Sequence, residues 1–267
     1  SDEKTALALV MQAIEQDPPP PQEAELVVQQ TLPFHPSPTQ RARLWEFLAD
    51  AWAQGATGGR VSREGLGNQS PNELALETLE LAEAALGECT QRDEAFRIQL
   101  ARVLRKRAFL CLRLRNVGPA MQAIQAAAEA LTGLPRQREQ ARLRLALGRA
   151  HLLEGFQAKG VKALEEGLQI LGAEALGSES GDRVAILMEL GRIQGQRCQF
   201  QRALGTLQAG QRLLERGQDP GQQVELLGVL ARVRFALGQP DAAYDHLREA
   251  LHLARILDEP ERQAECH

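Results

Sequence analysis

Apolar side chains along this chain recur at spacings of three and four, with polar residues between them. That is the pattern of helices that each bury one stripe. Leu, Ala, Gln, Glu and Arg dominate, residues that lose little on entering a helix. No useful length of chain alternates with period two, so the pattern predicts no strands. Breaks fall at Pro and Gly clusters roughly every 15 to 25 residues: Asp17 to Pro21, Pro33 to Pro38, Gly55 to Ser70, Gly133 to Pro135, Gly172 to Gly181 and Gln218 to Gly221. Ser70-Pro71-Asn72-Glu73 reads as a helix start, with an N-cap serine, a first-turn proline and a capping-box glutamate. Ser37-Pro38-Thr39-Gln40 and Asp219-Pro220-Gly221-Gln222 repeat the arrangement. The chain is expected to form about twelve helices and the opening of another, with helix-pair breaks near 116–119, 155–157, 198–200 and 238–240.

These helices repeat. The small residues Ala108, Gly148, Gly191 and Ala231 are separated by 40, 43 and 40 positions. Five before, one before and two after each anchor stand Val103, Arg107 and Leu110; Leu143, Leu147 and Ala150; Ile186, Leu190 and Ile193; and Leu226, Leu230 and Val233. Ala49 joins them with Leu44, Leu48 and Ala51. Twelve and nineteen past the anchors, small residues recur: Ala120 and Ala127, Gly160 and Gly167, Ala203 and Gly210, Ala243 and Ala250. Larger ones stand sixteen and twenty-three past: Ile124 and Leu131, Leu164 and Leu171, Leu207 and Leu214, with Leu247 and Ala254 in the last copy. Small residues facing each other let two helices approach closely.

Segments such as Leu230 to Leu251, with Gly238-Gln239-Pro240-Asp241-Ala242-Ala243 in the turn, resemble tetratricopeptide repeats. The resemblance covers residues 40 to 257. It implies antiparallel helix pairs stacked into an all-α, right-handed α-solenoid. It also implies a concave groove, lined by the first helix of each pair, where ligand peptides lie. Three departures stand out. The period is about 40 rather than 34. The usual first-helix aromatic is replaced by Cys111, His151, Gln194 and Arg234, although Trp45 and Trp52 fit the first repeat. The first repeat carries an insertion at residues 55–69, which puts Ala75 and Leu79 fourteen residues late. Long repeats of this kind are similar to those in sensor regions of bacterial signalling regulators and in motor and polarity adaptors. The organisation expected is capping helices over 1–36 (a pair at about 2–16 and 22–32), five helix pairs over 37–257, and the start of a further helix over 258–267. Five of the fifteen inserted residues are glycine, so the insertion is expected to be mobile.

Composition narrows the classes. Of 267 residues, 43% are apolar, too many for a disordered chain, and no run is long enough to span a membrane. There are 31 basic and 35 acidic residues, net −4, which argues against a general nucleic-acid surface. Cys89, Cys111, Cys198 and Cys266 lie too far apart for a zinc motif and are too few for a disulfide scaffold, so reduced thiols and a cytoplasmic setting are expected. The chain starts at Ser1 without a signal-peptide pattern and stops just after the helix-start signal Glu259-Pro260-Glu261, as a piece of a longer protein would.

Catalytic chemistry is scarce. No two of His35, His151, His246, His252 and His267 are four apart, so a zinc helix is absent. His151, at an intra-repeat contact position, reads as a core or boundary histidine. The glycine-rich stretch from Gly55 to Ser62 lacks the lysine, the spacing and the preceding strand of a phosphate loop. No enzyme activity, metal or cofactor is expected. The informative constellation is basic, in a chain where Arg outnumbers Lys 27 to 4. Arg149, Arg192 and Arg232 each follow an anchor directly. Arg102 and Arg142 stand six before one, and Arg105 three before. These offsets share one helix face, the one that the resemblance implies lines the groove. Stacked arginines there would form a ladder suited to carboxylates. The expected function is a non-catalytic scaffold that binds a protein or peptide partner with acidic groups in its concave groove, with no nucleic-acid or membrane partner. The alternatives are a ligand- or peptide-sensing module of a larger regulator, and an accessory region of an enzyme whose catalytic domain lies elsewhere.

Overall fold

The computed structural model describes residues 2–14, 19–54, 61–63, 67–172, 179–214 and 220–256. Its helices are α1 (Asp2–Ala13), α2 (Pro21–Thr31), α3 (Pro38–Gln54), α4 (Pro71–Gly87), α5 (Glu94–Arg113), α6 (Val117–Ala130), α7 (Gln137–Leu153), α8 (Gln157–Leu171), α9 (Glu179–Gln196), α10 (Phe200–Leu214), α11 (Pro220–Ala236) and α12 (Pro240–Ile256), with one 3-10 turn at Leu32–Phe34. The chain divides into two compact units, Ser1–Pro135 and Arg136–His267. Each unit builds its core from successive helix pairs: α3 with α4 and α5 with α6 in the first, α7 with α8, α9 with α10 and α11 with α12 in the second.

The pairs break one to three residues earlier than the sequence predicts, and the geometry is the same in each. The second residue after α5, α7, α9 and α11 closes a Schellman motif in the left-handed region. These residues are Arg115 (φ 59°), Gly155 (φ 83°), Cys198 (φ 58°) and Gly238 (φ 72°). The next amide reaches back to the carbonyls of Cys111, His151, Gln194 and Arg234, at 2.7–3.0 Å. Two of the four turns therefore use glycine and two hold a side chain at a strained φ.

The stripe of anchors is the core. Ala108 is fully buried, as are Ala120 and Ala127 opposite it. In α7 and α8, contacts step forward along one helix as they step backward along the other. A methyl built on Gly148 would meet Leu164 and the Gly160 carbonyl, while one on Gly167 would meet the Ala141 carbonyl. The pair is therefore antiparallel, and glycine sets its closest approach. The fourteen-residue displacement in the first repeat also holds: Ala75, Leu79, Ala82 and Leu86 of α4 are all buried to 2% exposure or less. The capping box at its start is closed by the Ser70 amide donating to Glu73 at 2.6 Å and the Glu73 amide donating to Ser70 Oγ at 3.4 Å.

One sequence expectation needs correction. Strands are present: β1 (Val61–Arg63) and β2 (Gly67–Gln69) form a short antiparallel ladder within the insertion, pairing Val61 with Gln69. Three-residue strands are too short to show an alternating pattern. Residues 55–60 and 64–66, on which the expectation of mobility rests, lie outside the described residues, as does the helix start expected over 258–267. Before the first repeat, Met11 of α1 and Ala24 and Val28 of α2 share a core with Ala42, Leu44 and Leu48 of α3. Pro20 holds an extended conformation (φ −49°, ψ 148°) just before α2, as a proline run should.

Candidate functional site

In each unit, the first helices of neighbouring pairs are joined by ion pairs on one face. The six predicted arginines fall into different positions within them. In the first unit Glu46 of α3, only 4% exposed, is the centre. Arg102 of α5 donates through Nη2 to Glu46 Oε2 at 2.8 Å, and its Nε lies 2.7 Å from Oε1. Lys106 reaches Glu46 at 2.7 Å and Asp50 at 2.6 Å. Burial pushes the Asp50 carboxyl up, and Lys106 beside it opposes that shift. Arg105 is itself buried, at 9% exposure. Two carboxylates balance Arg102 and Lys106, and Arg105 adds a third positive charge that acts on Asp50.

The second unit begins with a similar balance. Arg142 of α7 donates to Asp182 of α9 at 2.7 Å and to Glu139 at 3.1 Å, and Arg138 also reaches Asp182 at 2.7 Å. The row that directly follows the anchors is different. Arg149 of α7 holds Glu189 of α9 through Nη2 at 2.7 Å and Nε at 2.9 Å. Arg192 reaches the same oxygen, Glu189 Oε1, at 3.2 Å along its own helix. The Arg192 Nε is buried and donates no hydrogen bond. One repeat further, Arg232 of α11 is exposed and makes no ion pair among the described residues. Arg192 thus shares its carboxylate with Arg149, and Arg232 faces none among the described residues. A guanidinium can receive a carboxylate through two parallel N–H groups, so the surplus charge is also the right shape for one.

The sequence reading missed the carboxylates, although their signal was present. Arg142 and Asp182 are 40 residues apart, as are Arg149 and Glu189, three short of the 43 between the anchors Gly148 and Gly191. Each carboxylate therefore stands about one helical turn before the position equivalent to its arginine, within reach from the next helix of the stack. A glutamine uses the same geometry in both units: Gln99 donates to the Thr39 carbonyl at 3.1 Å, and Gln222 to the Gly181 carbonyl at 3.3 Å. His151 packs at a boundary, edge-on to Phe156 at 6.4 Å, with Nδ1 3.4 Å from Glu154. Among the described residues no three His, Cys, Asp or Glu side chains are grouped to hold a metal. No described helix is long and apolar enough to cross a membrane.

No family model matches the chain, and no curated protein matches it. Solved structures do. NprR, solved in complex with its cognate peptide NprX, is similar over 91% of this chain and 63% of its own, at 14% identity and a TM-score of 0.66. Aspartyl phosphate phosphatase F from Bacillus subtilis is similar over 91% of this chain and 58% of its own, at 11% identity and a TM-score of 0.63. The nearly identical TPR-like repeats of a putative kinesin light chain from Podosopora anserina are similar over 82% and 97%, at 22% identity and a TM-score of 0.54. Together with the helix pairs and their small-residue register, these likenesses give the chain the fold of a tetratricopeptide-type, all-α solenoid.

Proposed function

We propose that this chain is a non-catalytic interaction module that binds an acidic segment of a protein or peptide on the first-helix face of its second unit. The observation that carries this reading is the end of the row that follows the anchors: Arg192 shares Glu189 with Arg149, and exposed Arg232 makes no ion pair among the described residues. In an acidic chain, a local surplus of guanidinium charge focuses potential at one place. The solved complex of NprR with a peptide supports a peptide ligand for this fold.

Calorimetric titration of the chain with three peptides of equal length, one rich in Asp and Glu, one in Ser and Ala, one in Lys, tests the reading. Binding of the acidic peptide alone supports it. Equal binding of all three, or preference for the basic one, refutes it.

A further inference from the structure

Glu189 occupies an unusual position for a residue on a ligand-binding face. It is 9% exposed, and its Oε1 accepts from Arg149 of the preceding repeat and from Arg192 of its own helix. The other carboxylates of this unit's network, Asp182 and Glu139, are matched by Arg138 and Arg142 two for two. Glu189 is the carboxylate that Arg149 and Arg192 share. Beside it the buried Arg192 Nε has no acceptor among the described residues, and one repeat further on stands the exposed guanidinium of Arg232.

We infer that Glu189 is a built-in competitor for the ligand's carboxylate and is the residue that sets the affinity and selectivity of this face. This rests on the acidic-ligand reading above. Glu189 satisfies part of Arg149 and Arg192 in the free protein, so an incoming carboxylate is confined to the solvent-exposed end of Arg192 and to Arg232. Its negative charge also repels that carboxylate across a short, partly desolvated distance. A ligand with one acidic group gains little against this repulsion. A ligand with adjacent acidic groups can engage both Arg192 and Arg232.

The test is Glu189→Gln, which keeps the shape and the oxygen acceptor and removes the charge. Titrated with the Asp/Glu-rich peptide, it should bind about tenfold more tightly than the unmutated chain, the size of one like charge removed at short range. Discrimination between peptides with one and with several acidic residues should narrow. In the unmutated chain, the carboxyl carbon resonance of Glu189 should shift on peptide addition, a readout that does not depend on the variant folding. Equal or weaker binding by Glu189→Gln, with no shift of that resonance, overturns this inference. If the unmutated chain binds the acidic peptide and loses it on Arg232→Ala, the broader reading still stands. If neither the unmutated chain nor Glu189→Gln binds it, both fail.

Discussion

Glycine at position 191 makes a quantitative prediction because two large effects oppose each other there. Replacing a helix-interior glycine with alanine ordinarily stabilises by about 1 kcal/mol. A Cβ on Gly191, however, would lie 2.6 Å from both Cγ and Cδ2 of Leu207 and 3.2 Å from its Cδ1. Leu207 is fully buried in a core with Val184, Met188 and Leu230. The contact includes its branch carbon, so no simple rotation of a methyl relieves it. Overpacking of this kind costs about 1–3 kcal/mol. The net effect of Gly191→Ala is therefore a loss of up to about 2 kcal/mol, or up to roughly 6 °C in melting temperature. Gly205, in the exposed part of α10, has nothing within 4 Å of its built Cβ, so Gly205→Ala should gain about 0.5–1 kcal/mol. Urea and thermal unfolding followed by far-UV circular dichroism would measure both. The same substitution, with opposite signs in adjacent helices, is the expected result. Two shifts of the same sign would refute the claim that glycine sets the approach of α9 and α10.

Further predictions follow the same reasoning. Cys198→Gly and Arg115→Gly should each stabilise by up to about 1 kcal/mol in denaturant unfolding, because each relieves a side chain at a left-handed φ, whereas Gly155→Ala should destabilise. Arg149→Ala should destabilise by roughly 1–3 kcal/mol, because it strips the closer partner from the nearly buried Glu189, while exposed Arg232→Ala should move melting by no more than about 0.5 kcal/mol. Burial, and Arg234 nearby, hold His246 below its ordinary value, so it contributes stability that is present above the unfolded-state value of 6.5 and lost as pH falls from there through the folded value. Its NMR titration midpoint should therefore lie below 6.5 and rise in Arg234→Gln; a midpoint above 6.5 would refute this.

Much of the fold was legible because the repeat is periodic. The anchors Ala108, Gly148, Gly191 and Ala231 and their partners twelve and nineteen residues on are small wherever the helices touch, and that is visible without coordinates. Even the displacement of α4 by the insertion could be read from where Ala75 and Leu79 fall. The turns were less legible. Arg115 and Cys198 take a conformation that sequence assigns to glycine, because the Schellman hydrogen bonds outweigh the local strain. The three-residue strands carry no periodic signal at all. The arginine face was legible as a row and not as a network. Each arginine's offset from its anchor gives the helix face, but which guanidinium is neutralised depends on the neighbouring repeat. Arg102, Arg142 and Arg149 meet Glu46, Asp182 and Glu189 there, while Arg232 meets no carboxylate among the described residues.

The most direct test of the proposed function is the salt dependence of acidic-peptide binding in Arg192→Ala/Arg232→Ala. These two are chosen because Arg149, held by Glu189, cannot be removed without cost to folding. Calorimetry at low and moderate ionic strength should show the unmutated chain losing affinity as salt is added, since its exposed charges become screened. The double variant should bind at least tenfold more weakly, show a flatter salt dependence and melt near the unmutated chain, because each lost charge-assisted bond is worth roughly 1.5–3 kcal/mol. Unchanged affinity and an unchanged salt slope in a well-folded double variant would contradict the proposal and place the ligand elsewhere.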